Sequence, residues 1–397
     1  MLTAIHLSAT VSRGSFGLGV VAFSLARAQL RHGWDTRVWS LDRMADVAAQ
    51  PAGDGFPLER VRTFDRVGLG AWGCSSRLQA AASSVENTGR CILHQHALWT
   101  TGVSAATRSW RVRSHGITVV APHGCLSPWA LRRSGWKKAL ALAVYERSNL
   151  RNASCLHALT QAEARDIRNM GASNPIAVVP NGISDEWLCS AGDARRFRHA
   201  FSIASGVRIL LSLSRITPVK GLPLLIEGIR ANAKAFTGWV LLVAGVDEFN
   251  HQRELEALVD RYGLRDSIRF IGPVYGDTKR DAFSAADAFV LPSYSEGWPM
   301  GVLEALGAGV PVFTTASFPF PELLEHRAGW MVEPSMDSIG SSLPDLLLRS
   351  PAELREMGNR GRALVSRRFT WDAAAAQLSA VYLWLLGIGP QPDCVIT

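Results

Sequence analysis

Two carboxylates and two cations in the second half of the chain have the residue types and spacing of a diphosphate-binding site. Glu296 and Glu304 are separated by seven residues in SEGWPMGVLEALG, and RITPVKG carries Arg215 and, five residues later, Lys220. A guanidinium fork and an ammonium point charge can hold a diphosphate between them. A carboxylate one turn inside a helix can accept hydrogen bonds from vicinal hydroxyls while the helix start attracts an anion. Either Glu alone could be a solvated surface residue, but the pair favours a site.

The surrounding pattern predicts elements that would bring these charges to the end of a sheet. The apolar run Ala288–Leu291 predicts a buried strand, and Ile209–Leu213 predicts another just before Arg215. A polar turn after the first of these leads to a helix over about Met300–Leu306, with Pro299 at its start. In open α/β sheets, ligands bind beyond the carboxyl ends of such strands.

The stretch SEGWPMGVLEALGAGVPV resembles the glutamate–seven–glutamate signature of retaining GT-B glycosyltransferases, specifically those of family 4, the group 1 type. The resemblance extends over nearly the whole chain. It implies an α/β fold of the GT-B kind, with two Rossmann-like, doubly wound domains facing across a cleft. It further implies an acceptor-side domain over 1–185, a nucleotide-sugar-binding domain over 186–370, and a helix over 371–397 that crosses back to the first domain.

The same resemblance assigns roles to individual residues. Arg215 and Lys220 would bind the donor phosphates and stabilise the departing nucleotide, and Glu296 would orient the sugar. His123, in the PHG that follows the predicted strand Thr118–Ala121, is similar to the family histidine that approaches the donor sugar. These four are the implied catalytic residues. The implied donor-binding residues are Gly17, Gly19, Arg215, Lys220, Val274, Glu296, Gly297, Trp298, Met300, Gly301 and Glu304.

The first glycines lie in SRGSFGLG, whose order is G-x-x-G-x-G and not the dinucleotide G-x-G-x-x-G. A turn open to a ligand needs residues without a Cβ, although a tight strand–helix turn would use the same glycines. The run Gly17-Leu18-Gly19 is similar to the family's first loop, and GPVYG (272–276) fits the usual wall of a nucleobase pocket.

Histidines at the end of one predicted strand raise the question of a metal. His94 and His96 alternate in CILHQHALW, but no third ligand follows at a useful spacing. The sequence also lacks an Asp-x-Asp motif. We therefore expect no metal and no cofactor beyond a nucleotide-sugar co-substrate such as UDP- or GDP-hexose, with the two histidines lining the acceptor side.

The expected reaction is a metal-independent transfer of a hexosyl unit, with retention of configuration, to a hydroxyl of a saccharide or lipid-linked acceptor. Bacterial-type polysaccharide or glycolipid synthesis is the expected setting. By resemblance, Glu296 orients the sugar and is not a simple nucleophile, while a donor phosphate oxygen deprotonates the acceptor. A nucleotide-sugar epimerase of the same fold and a non-catalytic nucleotide-sugar sensor remain alternatives.

Composition is that of a globular protein: 397 residues, 47% apolar and 19% charged. No signal peptide or membrane-spanning run is evident, and the six cysteines show no metal-type pairing. These features predict a cytoplasmic protein, either free or at the inner face of the membrane.

The net charge of +8 is concentrated in the first half, where residues 1–190 carry 21 Lys and Arg against 12 Asp and Glu. No nucleic-acid motif accompanies it, so we expect no nucleic-acid partner. One segment combines Trp129 and Trp136 with four cations: Arg132, Arg133, Lys137 and Lys138. The sequence does not decide between peripheral contact with an anionic membrane and a solvated helix face.

Overall fold

The computed structural model describes residues 2–12, 17–48, 56–68, 72–84, 90–189 and 191–397. The chain divides into two compact units. The first unit contains residues 1–182 and 371–397, and the second contains residues 183–370. The family resemblance implies boundaries after 185 and after 370, within three residues of these.

The sheet of the first unit has eight strands in the order β14-β7-β6-β5-β4-β1-β2-β3. All neighbours pair in parallel except β14, which runs antiparallel to β7. Its strands are β1 (Thr3–Ser8), β2 (Asp35–Ser40), β3 (Val61–Thr63), β4 (Cys91–His96), β5 (Ile117–Ala121), β6 (Cys155–Ala158), β7 (Ile176–Val178) and β14 (Val395–Ile396). The chain order reverses between β1 and β4, which makes that edge a topological switch point.

Helices connect these strands. They are α1 (Leu18–Arg31), α2 (Met44–Ala48), α3 (Ser76–Ser84), α4 (Thr101–Arg113), α5 (Pro128–Arg132), α6 (Gly135–Ala141), α7 (Arg147–Arg151), α8 (Gln161–Asn169) and, after the second unit, α18 (Trp371–Leu385). A short 3-10 helix, Leu58–Arg60, precedes β3, and a π-helical stretch, Leu142–Glu146, joins α6 to α7. α18 lies against α1 within this unit.

The sheet of the second unit has six parallel strands in the order β10-β9-β8-β11-β12-β13. The strands are β8 (Arg208–Leu213), β9 (Trp239–Ala244), β10 (Ile268–Gly272), β11 (Ala288–Leu291), β12 (Val312–Thr315) and β13 (Gly329–Val332). Here the chain order reverses between β8 and β11.

Helices cover both faces of this sheet. They are α9 (Glu186–Cys189), α10 (Ala194–Ala200), α11 (Leu222–Ala231), α12 (His251–Arg261), α13 (Gly276–Ala285), α14 (Met300–Gly307), α15 (Pro321–Glu325), α16 (Met336–Leu347) and α17 (Pro351–Arg368). A 3-10 turn, Pro218–Lys220, lies between β8 and α11. Two apolar clusters, one on each side of the sheet, bury its strands, as expected for parallel strands between helices.

The predicted α/β class with two doubly wound, Rossmann-like parallel sheets is confirmed. Strand–helix alternation carried that prediction, because each parallel pair needs a crossover that is usually a helix. Within the part of the chain that the structure describes, no helix combines the length and apolar character that crossing a membrane would need.

Candidate functional site

Lys220 and Glu296 meet at the switch point of the second sheet. The loop after β8 carries Lys220 and the loop after β11 carries Glu296, and Lys220 Nζ lies 2.6 Å from Glu296 Oε1. Ser293 Oγ donates to the same Glu296 oxygen at 2.5 Å. A backbone bond from Tyr294 N to Val219 O, 2.8 Å, ties the two loops together. The predicted cation and the predicted carboxylate thus form one ion pair between strands β8 and β11.

Gly221 permits this approach. Its φ of +64° is in the left-handed region, and a Cβ there would lie 2.1 Å from the carbonyl oxygen of Pro292. A side chain at this position would therefore push the β8 loop away from the β11 loop. Steric contact with Pro292 O therefore explains why glycine follows Lys220 in the sequence motif.

Arg215 is held by an acid from the neighbouring strand's loop. Its Nη1 donates to both carboxylate oxygens of Glu248, each at 2.8 Å. A parallel bridge between Ile216 and Asp247 aligns the loops that follow β8 and β9. The side chain of Arg215 remains 40% exposed, so an incoming anion could reach it.

Glu304 also has a cation as partner. It lies on α14 and is nearly buried, with Oε1 2.6 Å from Lys279 Nζ of α13. The ammonium of Lys279 lies in turn over the Trp187 ring. Gly301, near the start of α14, would place a Cβ 3.2 Å from the Phe289 ring and 3.3 Å from Leu213 O. The helix therefore begins in close contact with the ends of β8 and β11.

The remaining predicted donor residues of this unit differ in exposure. Gly297 and Met300 are half-buried, and Val274, just after β10, is buried. The Trp298 ring packs edge-on against Phe318 and Phe320. Its indole N–H is buried without a hydrogen-bond partner among the described residues. Trp298 thus contributes its ring to the core below the loop.

The loop after β1 in the first unit is described only in part, since residues 13–16 of the predicted glycine-rich turn lie outside the described residues. Gly17 stands at the N-cap of α1 with φ +108°, and Gly19 is buried one residue into the helix. Asp42 fixes the described part of this loop, because it accepts hydrogen bonds from Val11 N and Ser12 N at 2.5 and 3.1 Å. The positive φ explains why a glycine occupies this position, since residues with a Cβ rarely adopt it.

His123 lies beyond the end of β5 with strained backbone. Its φ is +54°, and Ala97 and Trp99 beyond β4 have φ of +62° and +73°. Such non-glycine conformations cost about 1–3 kcal/mol each and are found mainly at functional sites. Two buried carboxylates support them: Glu163 accepts from Gly124 N at 2.6 Å, and Glu146 accepts from Trp99 N at 2.7 Å.

Burial raises the pKa of both supporting carboxyls above their ordinary values, although the backbone N–H groups that they bind act in the opposite direction. Sequence reasoning assigned no role to Glu146 or Glu163. A Glu inside an otherwise apolar helical segment, such as AVYE, was the available signal.

His94 and His96 are fully buried, and their rings contact those of other histidines on the same face of the sheet. His6 of β1 pairs in register with His94, and His6 Nδ1 lies 2.9 Å from His96 Nε2. His96 Nδ1 lies 2.9 Å from His123 Nε2. No local spacing in the sequence indicates this third histidine, because His6 lies 88 residues before His94 and strand pairing brings the two together.

The predicted residues divide between the two units. In the second unit Lys220 and Glu296 are in contact, whereas Arg215 and Glu304 have other partners, Glu248 and Lys279. In the first unit Gly17 follows β1 and His123 follows β5, two strands that β4 separates. Sequence reasoning missed the partners: Glu248, Lys279, Ser293, His6 and His157.

Two family models match the chain. The model described as glycosyl transferases group 1 matches residues 193–364, and the model described as glycosyl transferase 4-like domain matches residues 16–182. The two matches together cover most of the chain.

Curated relatives are identical to it at between a quarter and a third of the aligned positions. An uncharacterized glycosyltransferase of Methanocaldococcus jannaschii is 29% identical over 52% of this chain and 53% of its own length. A putative colanic acid biosynthesis glycosyltransferase of Salmonella typhimurium is 28% identical over 48% of each. The chain therefore spans about half the length of these two. A GDP-mannose:cellobiosyl-diphosphopolyprenol alpha-mannosyltransferase of Komagataeibacter xylinus is 26% identical over 97% of this chain and 94% of its own.

Solved structures show the same fold. Sucrose-phosphate synthase of Thermosynechococcus elongatus superposes with a TM-score of 0.74 at 20% identity, covering 97% of this chain and 99% of that one. The Anabaena protein HepE in complex with UDP-glucose gives 0.75 at 18% identity, over 96% and 99%. With both halves matched by family models and the fold shared throughout, the chain belongs to the glycosyl transferases group 1 family.

Proposed function

We propose that this protein is a retaining glycosyltransferase that moves a hexosyl unit from a nucleotide sugar to a hydroxyl acceptor. The pairing of Lys220 with Glu296 across the switch point carries this proposal. A cation suited to a phosphate and a carboxylate suited to sugar hydroxyls are in contact here, at the edge where open α/β sheets bind ligands. A nucleotide sugar offers a partner to each group, the diphosphate to the cation and the sugar hydroxyls to the carboxylate.

A donor would exchange partners with the ion pairs that the structure shows. Its diphosphate would take the cations Lys220 and Arg215, which are held by Glu296 and Glu248. The two released carboxylates could then accept hydrogen bonds from sugar hydroxyls. Because the negative charge that grows on the departing nucleotide would face two fixed cations, these residues would stabilise the transition state.

Glu304 would hold the ribose. Its carboxylate lies one turn inside α14, and its bond to Lys279 fixes its orientation. The start of α14 supplies N–H groups for the phosphates nearby. Neither role requires a metal ion or cofactor, and we propose none.

Retention of configuration has a geometric reason in this scheme. Once the donor has taken Lys220, Glu296 would still accept from Ser293 Oγ and would bind sugar hydroxyls, so we assign it to orienting the sugar and not to nucleophilic attack. A donor phosphate oxygen would instead deprotonate the acceptor on the face from which the nucleotide leaves.

The acceptor is proposed to be a saccharide or lipid-linked saccharide in polysaccharide or glycolipid synthesis, reached from an anionic membrane surface. Trp136, Leu140 and Val144 are exposed at four-residue spacing along α6 and the π-helical stretch. Arg132, Arg133 and Lys137 are exposed beside them. Apolar side chains flanked by cations suit the headgroup layer of such a membrane.

Thermal unfolding with a panel of nucleotide sugars tests the donor. A ligand at 100 times its Kd should stabilise the fold by about 2.7 kcal/mol. Glu304→Gln should lose that shift, whereas Glu227→Gln, in an ion pair with Arg230 on α11, should keep it. Offering the stabilising donor with saccharide acceptors and identifying the products by NMR separates transfer, which gives a new glycoside, from epimerisation. The anomeric configuration of that glycoside tests retention. Binding without any product would identify a sensor and overturn the proposal.

A further inference from the structure

Five of the ten histidines lie together on one face of the first unit's sheet. They come from β1, β4, β6 and the turn after β5, and the parallel register brings them to one layer. The five are His6, His94, His96, His123 and His157.

One branch of this cluster runs from the turn after β5 to α1. His123 Nε2 lies 2.9 Å from His96 Nδ1, His96 Nε2 lies 2.9 Å from His6 Nδ1, and His6 Nε2 lies 2.8 Å from Gln29 Oε1. His96, His6 and Gln29 are fully buried, while His123 at the outer end is half-buried. Three successive hydrogen bonds thus connect a candidate catalytic ring to a buried amide.

The second branch ends on a backbone carbonyl. His157 Nε2 donates to Val179 O at 2.8 Å, His94 Nε2 lies 3.3 Å from His157 Nδ1, and His94 Nδ1 lies 2.6 Å from the Tyr382 hydroxyl. A carbonyl only accepts, so a neutral His157 carries its proton on Nε2 and accepts from His94. Tyr382 then donates to His94, which satisfies every group in the branch.

All five rings are neutral near pH 7. Burial lowers the pKa of His6 to about 4 and of His123 to about 3, and it lowers the pKa of His96 well below its ordinary value. A neutral imidazole has one N–H and one bare nitrogen, so each ring in a chain donates at one end and accepts at the other. The direction of one bond therefore sets the direction of all the others.

Gln29 sets that direction in the first branch. With Oε1 as acceptor, His6 carries its proton on Nε2, His96 does the same, and His123 donates from Nε2 and keeps a bare Nδ1. If the amide were reversed, it would donate to His6, and every proton would move to the opposite nitrogen, including that of His123.

We propose that Gln29, His6 and His96 are positioning residues that fix the proton of His123 on Nε2, so that Nδ1 is a hydrogen-bond acceptor for a hydroxyl of the bound sugar. The proposal rests on the proposed function and on the role that the family resemblance implies for His123. The arrangement of protons along the branch does not depend on that role and can be measured separately.

A metal site is the competing explanation for the cluster. Ring nitrogens of His6, His94 and His96 lie within 4.8 Å of one another, close enough for one transition-metal ion. Both nitrogens of each of these rings, however, already have a hydrogen-bond partner. A metal would have to replace several of those bonds, whereas the hydrogen-bonded chain accounts for all six nitrogens.

Gln29→Glu tests the direction of the branch. The carboxylate should raise the pKa of His6, which then carries protons on both nitrogens and donates from Nδ1 to His96. His123 should accordingly move its proton to Nδ1 at low pH and return it to Nε2 when His6 is neutral. The other titratable groups around His6 are His94, His96, His157 and Tyr382, which are held neutral by burial.

Two-bond ¹H–¹⁵N spectra of histidine-labelled protein report the protonated nitrogen, and His123→Gln assigns the His123 signals. The full-length wild type should show Nε2–H at His123 across pH 6–8, and Gln29→Glu should show a transition. In the same pH range kcat/KM of the variant should fall about tenfold, the value of one lost hydrogen bond. Gln29→Met is the second variant, to be used if Gln29→Glu does not fold. Because Met neither donates nor accepts at this position, His123 should then show a mixture of both tautomers.

Thr36→Val is the matched control, since it removes a buried hydrogen bond to Ala26 O of α1 without touching the branch. It should leave the His123 spectrum unchanged. An unaltered His123 tautomer in both Gln29 variants would overturn the proposal, as would one equivalent of tightly bound transition metal lost on His6→Gln. If the spectra respond while no transferase activity exists, the proposed function fails and the arrangement of protons stands.

Discussion

The two sheets of this protein provide partners for the polar side chains near the carboxyl ends of their strands in different ways. In the first unit the polar layer consists of neutral imidazoles linked ring to ring, such as His6 with His96. In the second unit it consists of full charges in pairs, such as Lys220 with Glu296, which remain 12% and 11% exposed. The switch point therefore carries hydrogen-bonded neutral imidazoles in one sheet and ion pairs in the other.

Burial explains the difference. A charge that is taken fully out of water costs several kcal/mol unless it is well paired, so the buried layer uses groups that can shed their charge. The half-buried edge can keep charges, because water and an incoming ligand can replace a partner. The first arrangement should respond to acid, and the second to removal of one member of a pair.

Removal of a cation from the second unit should have the largest effect. Lys220→Ala or Arg215→Ala takes away a fixed charge that would face the departing diphosphate, and each should lower kcat by about 10²- to 10³-fold. Arg215→Ala should change thermal unfolding little, because the Arg215 side chain is 40% exposed. Lys220→Ala should also lower the thermal stability, because it leaves the nearly buried Glu296 carboxylate without its cation. The measurement is steady-state turnover with a saturating donor.

Arg230→Ala is the matched control in this unit, because Arg230 pairs with Glu227 on the exposed side of α11. Its turnover should equal that of the wild type. Near-normal turnover in both site variants would show that the phosphates bind elsewhere.

The basic surface of the first unit should give the next largest effect. Each exposed cation near an anionic membrane contributes about 1 kcal/mol, within a Debye length of about 10 Å at moderate salt. Replacing Arg132, Arg133 and Lys137 by Gln should therefore weaken cosedimentation with anionic vesicles roughly 100-fold, while donor hydrolysis stays unchanged.

Lys138 provides the control for that surface. Its Nζ bonds to the carbonyl oxygen of Ala130, and its ammonium lies over the Trp99 ring. The sequence grouped Lys138 with the three exposed cations, but the structure turns its side chain toward the protein. Lys138→Gln should bind vesicles as the wild type does, and vesicle binding that survives the triple variant would place the lipid contact elsewhere.

Those four cations illustrate what sequence could and could not provide. Composition and spacing located the basic segment, and strand–helix alternation gave the fold class, because both depend on neighbours along the chain. Side-chain direction depends on contacts with distant residues, here Ala130 and Trp99. No spacing rule contains that information.

The site shows the same limit. Arg215, Lys220 and the two glutamates lie in short motifs, so the sequence identified them. The residues that pair in the structure are far apart along the chain: Lys279 lies 25 residues before Glu304, and Lys220 lies 76 residues before Glu296. Strand order sets these separations. A weak signal did exist for the histidines: AIHLS, ILHQH and CLHAL each place a histidine near the end of a predicted strand.

Acid should weaken the first unit by a smaller, graded amount. The pKa values of His6 and His157 are lowered to about 4, against about 6.5 when unfolded. Between pH 4 and pH 6.5 the unfolded chain therefore binds more protons than the folded one. The free energy of unfolding has its full value above pH 6.5 and falls as the pH decreases. Each histidine should contribute on the order of 1 kcal/mol per pH unit.

Urea titrations at pH 7.5, 6.5 and 5.5 measure that slope. His157→Gln retains a donor for Val179 O but cannot be protonated, so its stability should fall less steeply than that of the wild type. Equal slopes for the two proteins would mean that the buried imidazoles do not carry the acid response.

Chelation should have the smallest effect of all, and it bears on both sheets at once. In the proposed mechanism Arg215 and Lys220 would supply the positive charge that a divalent ion would otherwise bring to the diphosphate, so turnover after EDTA treatment should match that of untreated protein. Complete loss that Mn²⁺ or Mg²⁺ restores would contradict this and would indicate Asp247 and Glu248 as oxygen ligands in the second unit. Loss that only Zn²⁺ or Co²⁺ restores would instead indicate the histidine cluster of the first unit, because imidazole nitrogens suit those ions. The identity of the restoring metal thus tells which of the two polar edges depends on an ion.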